Sequence, residues 1–142
     1  MANLASNQIK LEAFTGGVDV LTATIKVSLH TSTLTPDADT HKFYSDLTNE
    51  APATGGYTTG GATLAGKSAT IDTTNDRGVF DATDVTWASS TISSVRYACV
   101  YESTGTGSTS TIIGFIDFAS DKSSAGTDFV IQFHADGIAY IG

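Results

Sequence analysis

A single cysteine, Cys99, stands in the 142 residues, so no intrachain disulfide can form and a disulfide-stapled scaffold is excluded. It lies in the apolar run Tyr97-Ala98-Cys99-Val100-Tyr101, where an unpaired thiol is read as a small buried hydrophobe in a chain that folds in a reducing cytoplasm. One cysteine also excludes a zinc centre built on cysteines. Cations are scarce: seven Lys and Arg stand against fifteen Asp and Glu, for a formal net charge of −8. The seven are scattered from Lys10 to Lys122 and form no basic stripe. Binding a nucleic acid needs several cations releasing counterions together, so no direct nucleic-acid contact is expected. No stretch of ~18 apolar residues occurs, so no membrane span is expected. The start, Met-Ala-Asn-Leu-Ala-Ser-Asn-Gln, lacks the basic beginning and apolar stretch of a secretory signal, and no export by that route is expected. No Pro- or Ser-rich linker divides the chain, which reads as one domain over residues 1–142.

The charged fraction is 15%, below the usual ~25%. Ser, Thr and Gly fill the polar remainder, and these favour strands and turns. The segment 6–14 can form a short helix with Ser6 or Asn7 as its cap, Ile9, Leu11 and Phe14 available to pack, and Gly16-Gly17 as its stop. An extended reading of 8–13 is the alternative. Ile25, Val27 and Leu29 alternate with Lys26, Ser28 and His30, the period of a half-buried strand. A long polar stretch follows at about 31–66, with a turn at Thr35-Pro36-Asp37, the anchor Phe43-Tyr44, and a possible helical turn over 39–47. Such a length in a compact domain is usually functional or mobile, and it is read as a surface-contact arm. Its candidate contact residues are Asp39, His41, Phe43, Tyr44, Tyr57 and Thr58.

Strand segments crowd the second half: 68–73, 79–82, 85–87, 92–102, 111–118 and 129–133. Asp136-Gly137 reads as a type I′ hairpin turn leading to a return strand at 138–141. The expected fold is mainly β, an antiparallel β-sandwich or jelly roll with one or two short helices. The expected core is Ile25, Val27, Leu29, Ile71, Trp87, Val95, Tyr97, Cys99, Ile113, Phe115, Phe129, Ile131 and Phe133. Within it, Val95, Tyr97 and Cys99 should share one strand face, as should Phe129, Ile131 and Phe133.

His30, His41 and His134 do not show the i, i+4 spacing of a helical zinc pair and read as polar residues near strand ends. The chain has no G-x-S-x-G elbow, Walker loop or G-x-G-x-x-G fingerprint. Thr104-Gly105-Thr106-Gly107 lies between strands with no helix after it and reads as a turn. Asp37 and Asp39 begin like a calcium loop, but the Gly and distal Glu of an EF-hand do not follow. Asp81 and Asp84 bracket a turn, the commonplace setting of acidic residues. Trp87 with Tyr97 and Tyr101 would make a sugar platform if exposed in a row, but a core tryptophan is expected. No catalytic residue, metal or cofactor is therefore assigned, and no enzyme is expected.

Several runs occur in a characteristic order: 19–29, Thr35-Pro36-Asp37-Ala38-Asp39-Thr40-His41, Asp84-Val85-Thr86-Trp87, Arg96-Tyr97-Ala98, 116–121 and 129–138. Over nearly the whole chain this resembles a widespread family of small tailed-phage structural proteins. The resemblance implies a virion protein, with the capsid cement or decoration protein as nearest analogy. It would bind the major capsid protein through the N-terminal segment and the arm, self-associate as a dimer or trimer, and sit on the outer capsid surface after synthesis in the host cytoplasm. A tail, neck or head-fibre component, touching the host surface or its glycans, is the alternative. A carbohydrate-binding module is a third class.

Overall fold

The computed structural model describes residues 2–142; Met1, part of the N-terminal stretch read above for a signal and for contact, lies outside them. The chain is mainly β. In order come β1 (Ala2–Ala5), the helix α1 (Asn7–Thr15), β2 (Ile25–Thr31), β3 (Ala62–Thr63), β4 (Ser68–Asp72), β5 (Arg77–Asp81), β6 (Val85–Ser90), β7 (Val95–Glu102), β8 (Ile112–Lys122), β9 (Thr127–Ile131) and β10 (Ala139–Ile141). They form three antiparallel sheets, none of them closed: a five-stranded sheet in the order β1-β8-β7-β2-β3, a three-stranded sheet β10-β5-β4, and the pair β6-β9.

The helix forms where capping allows. Ser6 is extended at φ −68° and its Oγ accepts from Ile9 N at 3.1 Å, while Gly16 ends the helix in the left-handed region at φ 69°. Of the three apolar residues expected to pack, only Ile9 is buried; Leu11 and Phe14 face solvent. The strand β1, which the sequence reading did not include, pairs with β8 from Ala2↔Asp117 to Ala5↔Gly114. The expected helix at 39–47 is reduced to a 3₁₀ turn at Tyr44–Asp46.

The five-stranded sheet is buried on both faces. On one face Ile25, Val27, Leu29, Val95, Ala98, Val100, Ile113 and Ile116 join the main core with Trp87, Phe129 and Ile131. On the other, Cys99, Tyr101, Ile112 and Phe115 form a second core with Leu34, and Tyr44, Leu47 and Tyr97 pack against it. Two irregularities sort the side chains. On β7, Arg96 is an extra residue between the pairs His30↔Tyr97 and Thr31↔Val95. This bulge turns Val95 to the main core and Tyr97 and Cys99 to the second, so the three do not share a face as alternation had implied. On β8, Val100↔Gly114 is followed by Tyr101↔Ile112, which leaves Ile113 bulged toward the main core while Ile112 and Phe115 face away.

Three further expectations are corrected. Ile71 is 81% exposed, because β4 is the outer strand of a small sheet whose far end stands clear of the core. Phe133 is only half-buried and lies beyond β9, where its N–H donates to Asp84 Oδ1. Asp136-Gly137 makes no I′ hairpin: only Gly137 has a positive φ, and the return strand β10 pairs with β5 instead of β9.

Candidate contact surface

The residues from 32 to 61 are not a free arm. They run along the outer edge of β2 and across the second core, and their backbone is bonded to the sheet. Past the short β3, the stretch 49–51 continues the ladder on β2: Thr31 N donates to Asn49 O at 2.9 Å, and Ala51 N to Leu29 O at 2.8 Å. Between β3 and that stretch, the Tyr57 hydroxyl accepts from Leu29 N at 2.9 Å. The exposed edge that β2 would offer is thus covered. Further along, Ile112 N donates to Lys42 O at 2.9 Å and Tyr44 N to Ser110 O at 2.8 Å. Gly61 permits the close approach to β2: its φ is +75°, and a Cβ there would lie 1.8 Å from Val27 O.

Glu50 ties this segment together. Its carboxylate accepts from Tyr57 Oη at 2.6 Å, from Gly60 N at 2.6 Å and from Tyr44 Oη. Tyr101 Oη donates to Gly60 O at 2.7 Å, and the Tyr44 and Tyr101 rings stack at 4.5 Å. Burial, followed by the hydrogen bond to Glu50 for Tyr44 and Tyr57 and by the Glu50 charge for Tyr101, pushes the three phenols well above their ordinary range, so all remain donors. Beneath them lies His30, 1% exposed. Its Nδ1 is 2.9 Å from Thr48 O, which can only accept, so Nδ1 carries the proton; Nε2 then accepts from Ser28 Oγ at 2.9 Å. Burial lowers the pKa of the imidazole, against a smaller opposing effect of the Thr48 carbonyl.

The six candidate contact residues now separate. Tyr57 is 3% exposed and belongs to the fold, with its ring 5.9 Å from Trp87. Tyr44 and Phe43 are half-buried, Phe43 bridging to Thr111. His41, also half-buried, packs 5.8 Å from Phe115, and its Nδ1 accepts from Asp37 N. Asp39 and Thr58 are exposed. Asp37 Oδ1 accepts from Asp39 N and Thr40 N, which organises this turn and holds the Asp37 carboxyl below its ordinary range. The turn is joined to the N-terminal segment, since Asn7 N donates to Ala38 O at 3.0 Å and Asn7 Nδ2 donates to Asp39.

Other candidates resolve as structural. Asp84 and Asp81 accept from nearby backbone N–H groups, and Trp87 is buried against Phe129 while Tyr97 and Tyr101 lie on the opposite face of the large sheet. No group of three or more His, Cys, Asp or Glu side chains is placed to hold a metal ion among the described residues. Burial pushes the Cys99 thiol up, which makes it a poor nucleophile.

A second surface, absent from the sequence reading, lies on the main-core side. Register places Ala69, Ile71, Gly78, Phe80, Ala139 and Ile141 on one face of the three-stranded sheet, all apolar. Phe80 and Ala139 reach the core, but Ile71 and Ile141 remain exposed. Between this face and Ile9, Ala13, Val18 and Val20 opens a groove of about 700 Å³ with Ile113 also in its lining. A smaller, more enclosed hollow of about 570 Å³ continues it past Leu4, Lys10 and Phe14. Single-residue periodicity hid this surface because its members come from six separate elements and the loop after α1. No family model, no curated protein and no solved structure matches the chain.

Proposed function

We propose that this chain is a non-enzymatic virion structural protein, a cement or decoration subunit that binds the assembled major capsid protein. The observation that carries this reading is the junction of the N-terminal segment with the turn at 37–41, through the Asn7–Ala38 and Asn7–Asp39 hydrogen bonds. These bonds hold together the two elements expected to touch the shell. The turn is ordered before binding by the Asp37 carboxylate, which accepts from Asp39 N and Thr40 N, so docking carries a smaller entropic cost than an unfolded arm would impose. The net charge of −8 suits a position outside the shell, away from packaged DNA. A subunit that binds only the expanded shell stabilises that state by linkage, and many modest contacts add up over symmetric sites. The finer reading of the fold as a β-sandwich is supported by the core that Trp87, Phe129 and Ile131 of β6 and β9 share with Val27 and Leu29 of the large sheet.

The experiment uses shells of the parent particle assembled without the chain, to which the purified protein is added back and co-sedimented. The wild-type chain should saturate the shells, while Asp39→Lys combined with Thr58→Arg, both at exposed positions, should keep its circular dichroism and lose occupancy. Full occupancy by this variant would refute the contact surface. Binding of the wild type only to isolated tails or necks would put the alternative virion role in place of the cement reading.

A further inference from the structure

We propose that His41 is a proton-sensitive pin of the 37–41 turn: acid protonates its ring, breaks a bond that closes the turn and releases the chain from the shell. The inference rests on the reading of that turn and the N-terminal segment as the surface that meets the shell, and adds the condition under which the contact fails.

The turn is closed by a reciprocal pair. His41 N donates to Asp37 O at 3.1 Å, and Asp37 N donates back to His41 Nδ1 at 3.1 Å. A backbone N–H can only donate, so Nδ1 carries no proton in this geometry and the neutral ring holds its proton on Nε2. An imidazolium carries a proton on both nitrogens and accepts from nothing. Protonation therefore sets two N–H groups against each other and removes one of the two bonds of the pair. The buried His30 behaves differently, since its Nδ1 donates to Thr48 O and that bond survives protonation. His134 repeats the arrangement of His41, with Asp136 N donating to its Nδ1 at 3.1 Å, but there the Asp136 carboxylate lies 3.3 Å from the same nitrogen and can pair with the cation. Among the described residues no carboxylate stands within ion-pairing distance of the His41 ring.

The surrounding groups do not offset the loss. The turn itself carries Asp37, Asp39 and Lys42, and Asp46 beyond it is engaged with Lys42 N and Phe43 N. From α1 comes Lys10, whose Nζ donates to Asn7 Oδ1, and from β2 the His30 imidazole, over which Glu50 is taken up by Tyr44, Tyr57 and Gly60. Phe115 of β8 packs 5.8 Å from the ring and is uncharged, and burial keeps its β7 neighbour Cys99 a neutral thiol. Asp37 is already committed. Its Oδ1 accepts from Asp39 N and Thr40 N, which holds the carboxyl ionised through the range in which imidazoles titrate. A cationic ring that draws this carboxylate to itself takes it from those two N–H groups, so attraction and lost bond open the turn together. Ala38 and Asp39, inside the turn, are the residues that hold Asn7. Opening the turn thus parts it from the N-terminal segment. The neutral ring supports the contact, so shell affinity is full near about pH 8 and falls as the pH drops toward about 5. By reciprocity, docking holds His41 in its neutral form.

The test has a free-chain arm and a shell arm. In the amide proton–nitrogen correlation spectrum of the free chain, the Asp37 signal should shift between about pH 8 and pH 5 with the midpoint of the His41 ring, and its exchange with solvent should quicken roughly tenfold beyond the ordinary pH dependence of amide exchange. His41→Gln should abolish this titration and His134→Gln should keep it. In co-sedimentation, the wild type and His134→Gln should bind shells at least roughly tenfold more weakly at about pH 5.5 than at about pH 7.5, and His41→Gln about equally at both. An Asp37 amide that ignores the titration of the His41 ring would overturn the pin, and this arm needs no variant. Equal wild-type binding at both pH values, or a pH dependence that His41→Gln retains, would overturn its control of docking. A turn that titrates as described in a chain that binds shells at no pH would refute the shell reading and leave the proton-sensitive turn standing.

Discussion

Replacing Glu50 by alanine removes one carboxylate and leaves three donors without their acceptor: Tyr44 Oη, Tyr57 Oη and Gly60 N. Their fates differ. Tyr44 is half-buried and can turn to water at little cost. Tyr57 is 3% exposed and Gly60 is also buried, so neither reaches solvent without moving the segment. An unsatisfied buried donor costs about 1–3 kcal/mol, so the two together give about 2–6 kcal/mol for the substitution. For a domain of this size the melting temperature should fall by about 6–24 °C. Urea unfolding followed by tryptophan fluorescence is the assay, because Trp87 sits 5.9 Å from the Tyr57 ring and reports on the same region. Glu50→Gln retains one acceptor oxygen and should fall between the two. A loss below about 0.5 kcal/mol for Glu50→Ala would refute the view that this carboxylate holds the long segment on the sheet.

Other outcomes follow from the same geometry. Burial lowers the His30 pKa, so the unfolded chain takes up the proton first. Stability should then fall as the pH drops below about 6.5, with a slope of up to about 1.4 kcal/mol per pH unit, and His30→Gln should flatten that slope in urea midpoints measured from about pH 7 to pH 5. Asp117, held low by the Arg96 guanidinium, acts in a separate window: its contribution is present above about pH 3.8 and is lost as the pH falls further, and Asp117→Asn should remove that acid-side component. Ile131→Ala should cost about 2–5 kcal/mol, because the side chain is 1% exposed, whereas Ile71→Ala should stay within about 0.5 kcal/mol in the same denaturation assay. Deleting 39–61 with a short linker should leave a chain without cooperative unfolding, because it removes Glu50, Ala51 and Tyr57 from the edge of β2; a cooperative melt near that of the wild type would contradict this.

Local chemistry made much of the fold legible. Alternation at Ile25, Val27 and Leu29 marked β2, and Ser6 with Gly16-Gly17 marked both ends of α1, because period and capping are properties of neighbouring residues. The failures arose where distant pairing decides. The Arg96 bulge, which parts Val95 from Tyr97, exists only because β2 and β7 meet in a particular register. Ile71 has the pattern of a core residue, but its strand is the last of its sheet. The segment 31–66 looked free because its polar residues satisfy one another and the edge of β2, a role invisible without the partner strand. Phe43-Tyr44 was rightly seen as an anchor, since Tyr44 stacks on Tyr101. Glu50 carried no signal, being one acidic residue in a polar stretch.

The proposal that the chain decorates a shell is tested most directly by counting its copies in purified particles with isotope-labelled peptide standards and mass spectrometry. A cement protein should be present in numbers comparable to the major capsid protein, in the hundreds per particle. Six or twelve copies, or none, would contradict the account.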